Sequence, residues 1–201
     1  MITIKNKLED CYFLPDDSVE ARAKLLDSLK LPGDLYLSCF GFTLQDAYDI
    51  LIESDKNGYK QSLLLDYSQA SGQYAKNKIK NLIQNTKNTS VVLTSAGEKS
   101  KRPSSFWHWK GMVKMPVDKR KAPLCMDGST NISINAFFQG NSMRFFNNNL
   151  WSETFIKQHI ENKEWALKNL VHYQPSALSE GNSIDLFFDN LNYADDLDLL
   201  I

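Results

Sequence analysis

Two short stretches carry residue types that could do chemistry together. The first is His108-Trp109-Lys110. The second, on the next expected strand, is Gly128-Ser129-Thr130-Asn131. In an extended strand, residues two apart share a face. His108 and Lys110 therefore project into one space, with Trp109 opposite. Gly128 lets the backbone turn tightly at a strand end, which brings Ser129 and Asn131 toward the same pocket if the strands pair. The set suits a phosphodiester. An imidazole nitrogen can attack phosphorus and form a covalent intermediate. A lysine ammonium offsets phosphate charge, and hydroxyl and amide donors bind the equatorial oxygens. No metal or other cofactor is required, because side chains supply the cations, and no carboxylate cluster in the sequence suits Mg²⁺.

The elements that must position these residues follow from periodicity. Asp17 and Glu20 have capping-box spacing before a helix over about 18–30, with Val19, Ala23, Leu26 and Leu29 inward. Pro32-Gly33 ends it. Strands are expected over 34–40, 62–67 and 90–95, where apolar runs are bounded by polar residues. Helices are expected between them. One runs over about 44–57, capped by Thr43, stopped by Gly58, and burying Leu44, Ala47, Tyr48, Leu51 and Ile52. The other runs over about 71–86, with Tyr74, Ile79, Leu82 and Ile83 inward. Strand–helix–strand alternation argues for an α/β fold with parallel crossovers. Further strands are expected over about 106–115, 122–129 and 142–147. A last helix over about 150–170, capped by Asn149, presents Trp151, Phe155, Ile156, Ile160, Trp165 and Leu167.

Charge is distributed unevenly. The net charge is -1 and the pI is about 6.3, so no global positive field draws the chain to nucleic acid. Locally, Lys99, Lys101, Arg102, Lys110, Lys114, Lys119, Arg120 and Lys121 face one acid, Asp118. This run surrounds His108 and reads as a phosphate-tracking groove, with Lys114 as a substrate contact. Trp107 and Trp109 could stack on bases or pack in the core. His159 and His172 read as surface or packing residues, and Asp127 as a turn residue. Beyond Pro175 the chain is acidic, with interleaved leucines and phenylalanines. The organisation expected is one domain over 1–174 and an acidic tail over 175–201, which could lie over the basic cleft or bind a partner protein. Three cysteines, Cys11, Cys39 and Cys125, are odd in number and far apart, which argues against a disulfide framework and for a reducing cytoplasm. No apolar run is long enough for a signal sequence or membrane anchor.

HWK and DGSTN resemble the H-x-K and G-S-x-N halves of the phospholipase D motif. LYLSCFGFTLQDAYDILIESDKNGYKQSLLLDYS is similar to the family's leading strand, helix and following strand ending in Asp. MRFFNNNLWSETFIKQHIENKEW is similar to its last strand and closing helix. The resemblance covers about residues 33–168 and implies a phospholipase D-like mixed β-sheet flanked by helices. This chain has one copy of the motif. The resemblance is then to the small metal-independent nucleases that dimerise so that two motifs meet. It implies that His108 attacks, that His108 of the partner subunit protonates the leaving oxygen, and that water hydrolyses the phosphohistidine. Lys110, Ser129 and Asn131 would hold the phosphate, with Gly128 shaping their turn.

Two positions depart from the pattern. The family's H-x-K-x4-D places an Asp where this chain has Met115, although the tyrosyl-DNA phosphodiesterases of the superfamily also lack it. A Glu common after the G-S-x-N segment is replaced by Gln139-Gly140-Asn141, whose Gln139 or Asn141 could accept a hydrogen bond in its place. Three readings follow. The first is a homodimeric nuclease acting on DNA or RNA. The second is a lipid-headgroup phosphodiesterase. The third is a catalytically weak nucleic-acid-binding or regulatory module.

Overall fold

The computed structural model describes residues 7–70, 73–94 and 109–169. In chain order the elements are β1 (Lys7–Phe13), α1 (Ser18–Lys30), β2 (Gly33–Cys39), α2 (Gln45–Lys56), β3 (Gln61–Asp66), the single turn α3 (Tyr67–Ala70), α4 (Gln73–Gln84), β4 (Thr89–Thr94), β5 (Lys110–Pro116), β6 (Leu124–Gly128), a 3-10 turn (Asn135–Phe138), β7 (Ser142–Asn147) and α5 (Asn149–Asn169). The strands form one seven-stranded sheet in the order β1-β7-β6-β5-β2-β3-β4. β2, β3 and β4 are parallel, as their near-continuous apolar runs and helical crossovers require. β5, β6, β7 and β1 add antiparallel to one side. The α/β sheet with mixed pairing is the fold class expected from the sequence.

Helices cover both faces. Leu25 and Leu29 of α1, Ala47 and Leu51 of α2, and Ile79 and Leu82 of α4 pack with Leu35, Leu37, Leu63, Met112 and Phe145 in the main core. On the other face α5 places Phe155 against Val113, Cys125 and Phe146, and Ala166 against Leu64 and Val92. No helix among the described residues is long and apolar enough to cross a membrane.

Several local expectations are corrected. β1 was not expected; its register with β7 shifts between Leu8 and Asp10, which breaks the alternation that would have marked a strand. In α1, Leu25 and Ala21 are buried while Val19 and Ala23 are exposed, so the inward stripe is rotated from the expected one. The Asp17 carboxylate caps nothing in α1 and accepts a hydrogen bond from Phe13 N at 2.7 Å. Leu44, not Thr43, stands at the N-cap of α2. Asn148 Oδ1, not Asn149, accepts the Trp151 N–H at 2.9 Å at the start of α5. Tyr74 is exposed rather than inward, and of the apolar positions of α5, Ile160, Trp165 and Leu167 are exposed. Residues 106–108 of the expected 106–115 strand, and the acidic tail, lie outside the described residues.

Candidate active site

The parallel strands β2, β3 and β4 all end at one edge of the sheet, at Cys39, Asp66 and Thr94. β5 runs the other way, so it begins at that edge: Lys110 lies opposite Cys39. β6 returns to the same edge, with Gly111 opposite Asp127 and Gly128 next in line. Topology therefore brings Lys110 and the Gly128–Asn131 segment together, as the pairing of the two motif halves demands. His108 and Trp107 lie outside the described residues.

Lys110 is 6% exposed, and its ammonium stands 5.4 Å from the centre of the Phe40 ring. Burial lowers its pKa from the ordinary lysine value, opposed by the neighbouring Cys39. That thiol is itself pushed up to about 11 by burial, so it stays protonated at neutral pH. A half-desolvated cation of this kind interacts strongly with an oxyanion that displaces water beside it.

The Gly128 turn is fixed by close contacts. Its φ is 155°, and a Cβ there would meet Ser142 O at 2.2 Å. That carbonyl accepts hydrogen bonds from Ser129 N at 3.0 Å and from the Thr130 hydroxyl at 2.9 Å. Ser142 N in turn donates to Ser129 Oγ at 2.9 Å. The Ser129 hydroxyl proton remains available for a ligand. Asn131 is pinned from the β2 side, where Gly41 N donates to its Oδ1 at 3.1 Å. An N–H can meet only the amide oxygen, so this contact sets the orientation of the amide and leaves its NH₂ to donate. Ile132 continues the zipper: its N–H donates to Gly41 O, and its carbonyl accepts from Thr43 N and Leu44 N. Nothing in the residue type of Gly41 marked it for this role.

On the α5 face of the same sheet end lies a cavity of about 720 Å³, bordered by Trp109, Lys110, Gly128, Arg144, Trp151 and Phe155. Trp109 is 42% exposed and stacks on Phe155 at 5.6 Å, and Phe155 stacks on Trp151 at 5.0 Å. Its packing is thus on the α5 side, opposite Lys110, with one part of the ring open to the cavity. Arg144 forms a two-pronged ion pair with Asp127 across β7 and β6. Asp127 is therefore a strand residue with a partner, not a turn residue. The alternation in SMRFFN, which leaves Arg144 outward between buried Met143 and Phe145, was the signal that could have found the pair.

Other candidates do not join the cluster. Lys114 sits four residues further along β5, buried to 2% exposure, and the Lys119–Lys121 turn follows it. A seven-residue strand is roughly 20 Å long. Of the basic run, Lys110 and the Lys119–Lys121 turn thus lie at opposite ends of the sheet, and the single groove expected is corrected to that extent; Lys99, Lys101 and Arg102 lie outside the described residues. The Asn141 amide donates to Ala136 O at 2.9 Å, which fastens the 3-10 turn. Gln139 is exposed after that turn. Met115 faces Asp34 across β2 and β5, also at the far end. His159 is a packing residue. It is fully buried under α5, where its ring nitrogens meet Ser38 Oγ at 3.0 Å and Ser62 Oγ at 2.9 Å. Burial and the nearby Lys163 lower its pKa to about 3.

The chain superposes on NucT from Helicobacter pylori with a TM-score of 0.60 and 18% identity, covering 79% of this chain and 96% of that one. It superposes on Nuc from Salmonella typhimurium, a phospholipase D family member, with a TM-score of 0.58 and 19% identity, covering 76% and 91%. TrmBL2, an archaeal chromatin protein, matches at a TM-score of 0.51 and 13% identity, over 81% of this chain and 55% of that one. No protein-family model matches the sequence. No curated protein matches it either. The fold is that of NucT and of the phospholipase D family member Nuc.

Proposed function

We propose that this chain is a metal-independent phosphodiesterase that cleaves DNA or RNA through a phosphohistidine on His108. The observation that carries the reading is the meeting of Lys110 and the Gly128–Asn131 turn at one sheet edge, with the Asn131 amide oriented by Gly41. Lys110 offsets charge on the phosphate, and the Asn131 NH₂ and Ser129 hydroxyl donate to its non-bridging oxygens. His108, two residues before Lys110, attacks phosphorus as the bond to the leaving oxygen breaks. His108 of the partner subunit donates the proton to that oxygen. Water then attacks the phosphohistidine, and the histidine leaves as the phosphate product forms. A homodimer is required because each chain has one motif. NucT and Nuc are nucleases in a similar fold, and the TrmBL2 structure describes DNA binding; both favour nucleic acid over a lipid headgroup.

The test is cleavage of end-labelled DNA and RNA in excess EDTA by the wild type, Lys110→Met and Asn131→Ala. The reading expects cleavage by the wild type and losses of about 10²-fold or more in each variant, the scale of removing one oxyanion donor. Equal activity in all three would refute it. A second reading, a nucleic-acid-binding module without turnover, is favoured by Met115 and by the use of the Asn141 amide within the fold. It expects binding that Lys110→Met weakens, and no cleavage.

A further inference from the structure

β6 leaves the sheet at Gly128 and β7 re-enters it at Ser142, so residues 129–141 stand at the edge that carries Lys110. Ile134 is three residues from Asn131, at most about 11 Å of extended chain. The 3-10 turn that follows is fastened from within. Phe137 N donates to Ile134 O at 3.2 Å, and the Asn141 amide donates to Ala136 O. The turn buries Ala136 and Phe137 and faces Ile134 and Phe138 outward, 51% and 68% exposed. β1 ends at the same edge, where Phe13 pairs with Ser142, and α1 starts there. Val19, in the first turn of α1, is 75% exposed.

These side chains form one patch. A cavity of about 290 Å³ opens between Val19, Ala23, Leu26, Ile134, Phe137 and Phe138. Exposed apolar surface of this kind marks contact with another molecule. The patch also has a projecting part, Phe138 and Ile134, beside a hollow. A two-fold contact needs both on one surface, because each subunit offers the same patch and receives the other's. Charge is arranged in the same way. Arg22 and Asp46 border the cavity and pair with each other at 2.6 Å, with both side chains nearly half exposed. A rim of both signs suits a copy of itself, since Arg22 can meet the partner subunit's Asp46. It does not suit a polyanion, because Arg22 is already engaged by a carboxylate.

We infer that this patch seats a second copy of the chain, patch to patch about a two-fold axis. The inference rests on the reading of the site as dimeric and names the surface that makes it so. Contact beside Asn131 draws two Lys110–Asn131 edges together, as the proposed reaction requires of chains with one motif each.

The test is sedimentation equilibrium of the full chain without substrate, over a concentration series, for the wild type, Phe138→Glu and Ile134→Glu. Val117→Glu and Leu150→Glu are the controls; both positions are 61% exposed, at the opposite end of the sheet. Circular dichroism and thermal unfolding check that each variant is folded. The wild type is expected to be a dimer. A carboxylate placed in a two-fold contact enters it twice, so each patch variant should raise the dimer dissociation constant about 100-fold or more. The controls should leave it unchanged. If the folded patch variants dimerise as the wild type does, or if the controls weaken the dimer equally, the proposal is overturned and the reading of the site stands. A monomeric wild type overturns both, whether the patch then meets residues 175–201 or a different protein. A wild-type dimer that the patch variants break, but that cleaves nothing in EDTA, supports the surface and counts against the chemistry alone.

Discussion

Replacing Lys114 with methionine should stabilise the protein. Burial lowers the ammonium from its ordinary 10.5 to about 8. At about 1.4 kcal/mol per pH unit, the folded state then bears a penalty of about 3 kcal/mol relative to the unfolded chain. The penalty is fully present below pH 8, where the lysine is charged in both states. Between pH 8 and 10.5 the unfolded chain binds the extra proton, so wild-type stability rises with pH. Methionine has nearly the same length and no charge to desolvate. After some loss of packing around Tyr59, a gain of about 1–3 kcal/mol is expected at pH 7. For a domain of this size that is about 3–9 °C in melting temperature. The assay is thermal and urea unfolding of both proteins from pH 7 to 10 in phosphate-free buffer. The gap should shrink as pH rises. A variant less stable than wild type by more than about 1 kcal/mol, or a gap independent of pH, would refute the reasoning.

Other consequences follow from named contacts. Gly41→Ala places a Cβ 3.1 Å from Asn131 Cγ, so the amide must shift by a few tenths of an ångström. Nuclease activity should fall about tenfold with little change in melting temperature, and unchanged kcat would disprove the positioning role. Gly128→Ala drives a Cβ to 2.2 Å from Ser142 O and should cost about 2–4 kcal/mol in urea unfolding. His159 is held neutral, with its pKa lowered from 6.5 to about 3, so the stability this gives is present above pH 6.5 and is lost as pH falls toward 3. His159→Gln should flatten the loss of stability between pH 6.5 and 4; an unchanged acid slope would show that another group governs it.

The sheet was legible because β2, β3 and β4 are short apolar runs separated by helical patterns, and such runs in α/β order leave few topologies. The two motif halves were legible for the same reason: β5 and β6 are adjacent strands, so pairing them brings Lys110 to Gly128. What the sequence hid was distance. Lys110 and Lys121 look like parts of one basic run, yet an extended strand carries the second to the far end of the sheet. Contacts made by backbone groups were also hidden. The orientation of Asn131 depends on Gly41 N, and the cap of α5 on Asn148 rather than its neighbour. The polar line Ser38–His159–Ser62 under α5 joins three elements distant in sequence, which no local pattern encodes.

The central claim is that His108 is the nucleophile of a metal-free reaction at the Lys110–Asn131 edge. Its most direct test is single-turnover cleavage of labelled DNA and RNA in EDTA by size-selected wild type and His108→Ala. The account predicts cleavage by the wild type and none by the variant, with both eluting as dimers. Cleavage that survives His108→Ala, or that EDTA abolishes, would contradict it.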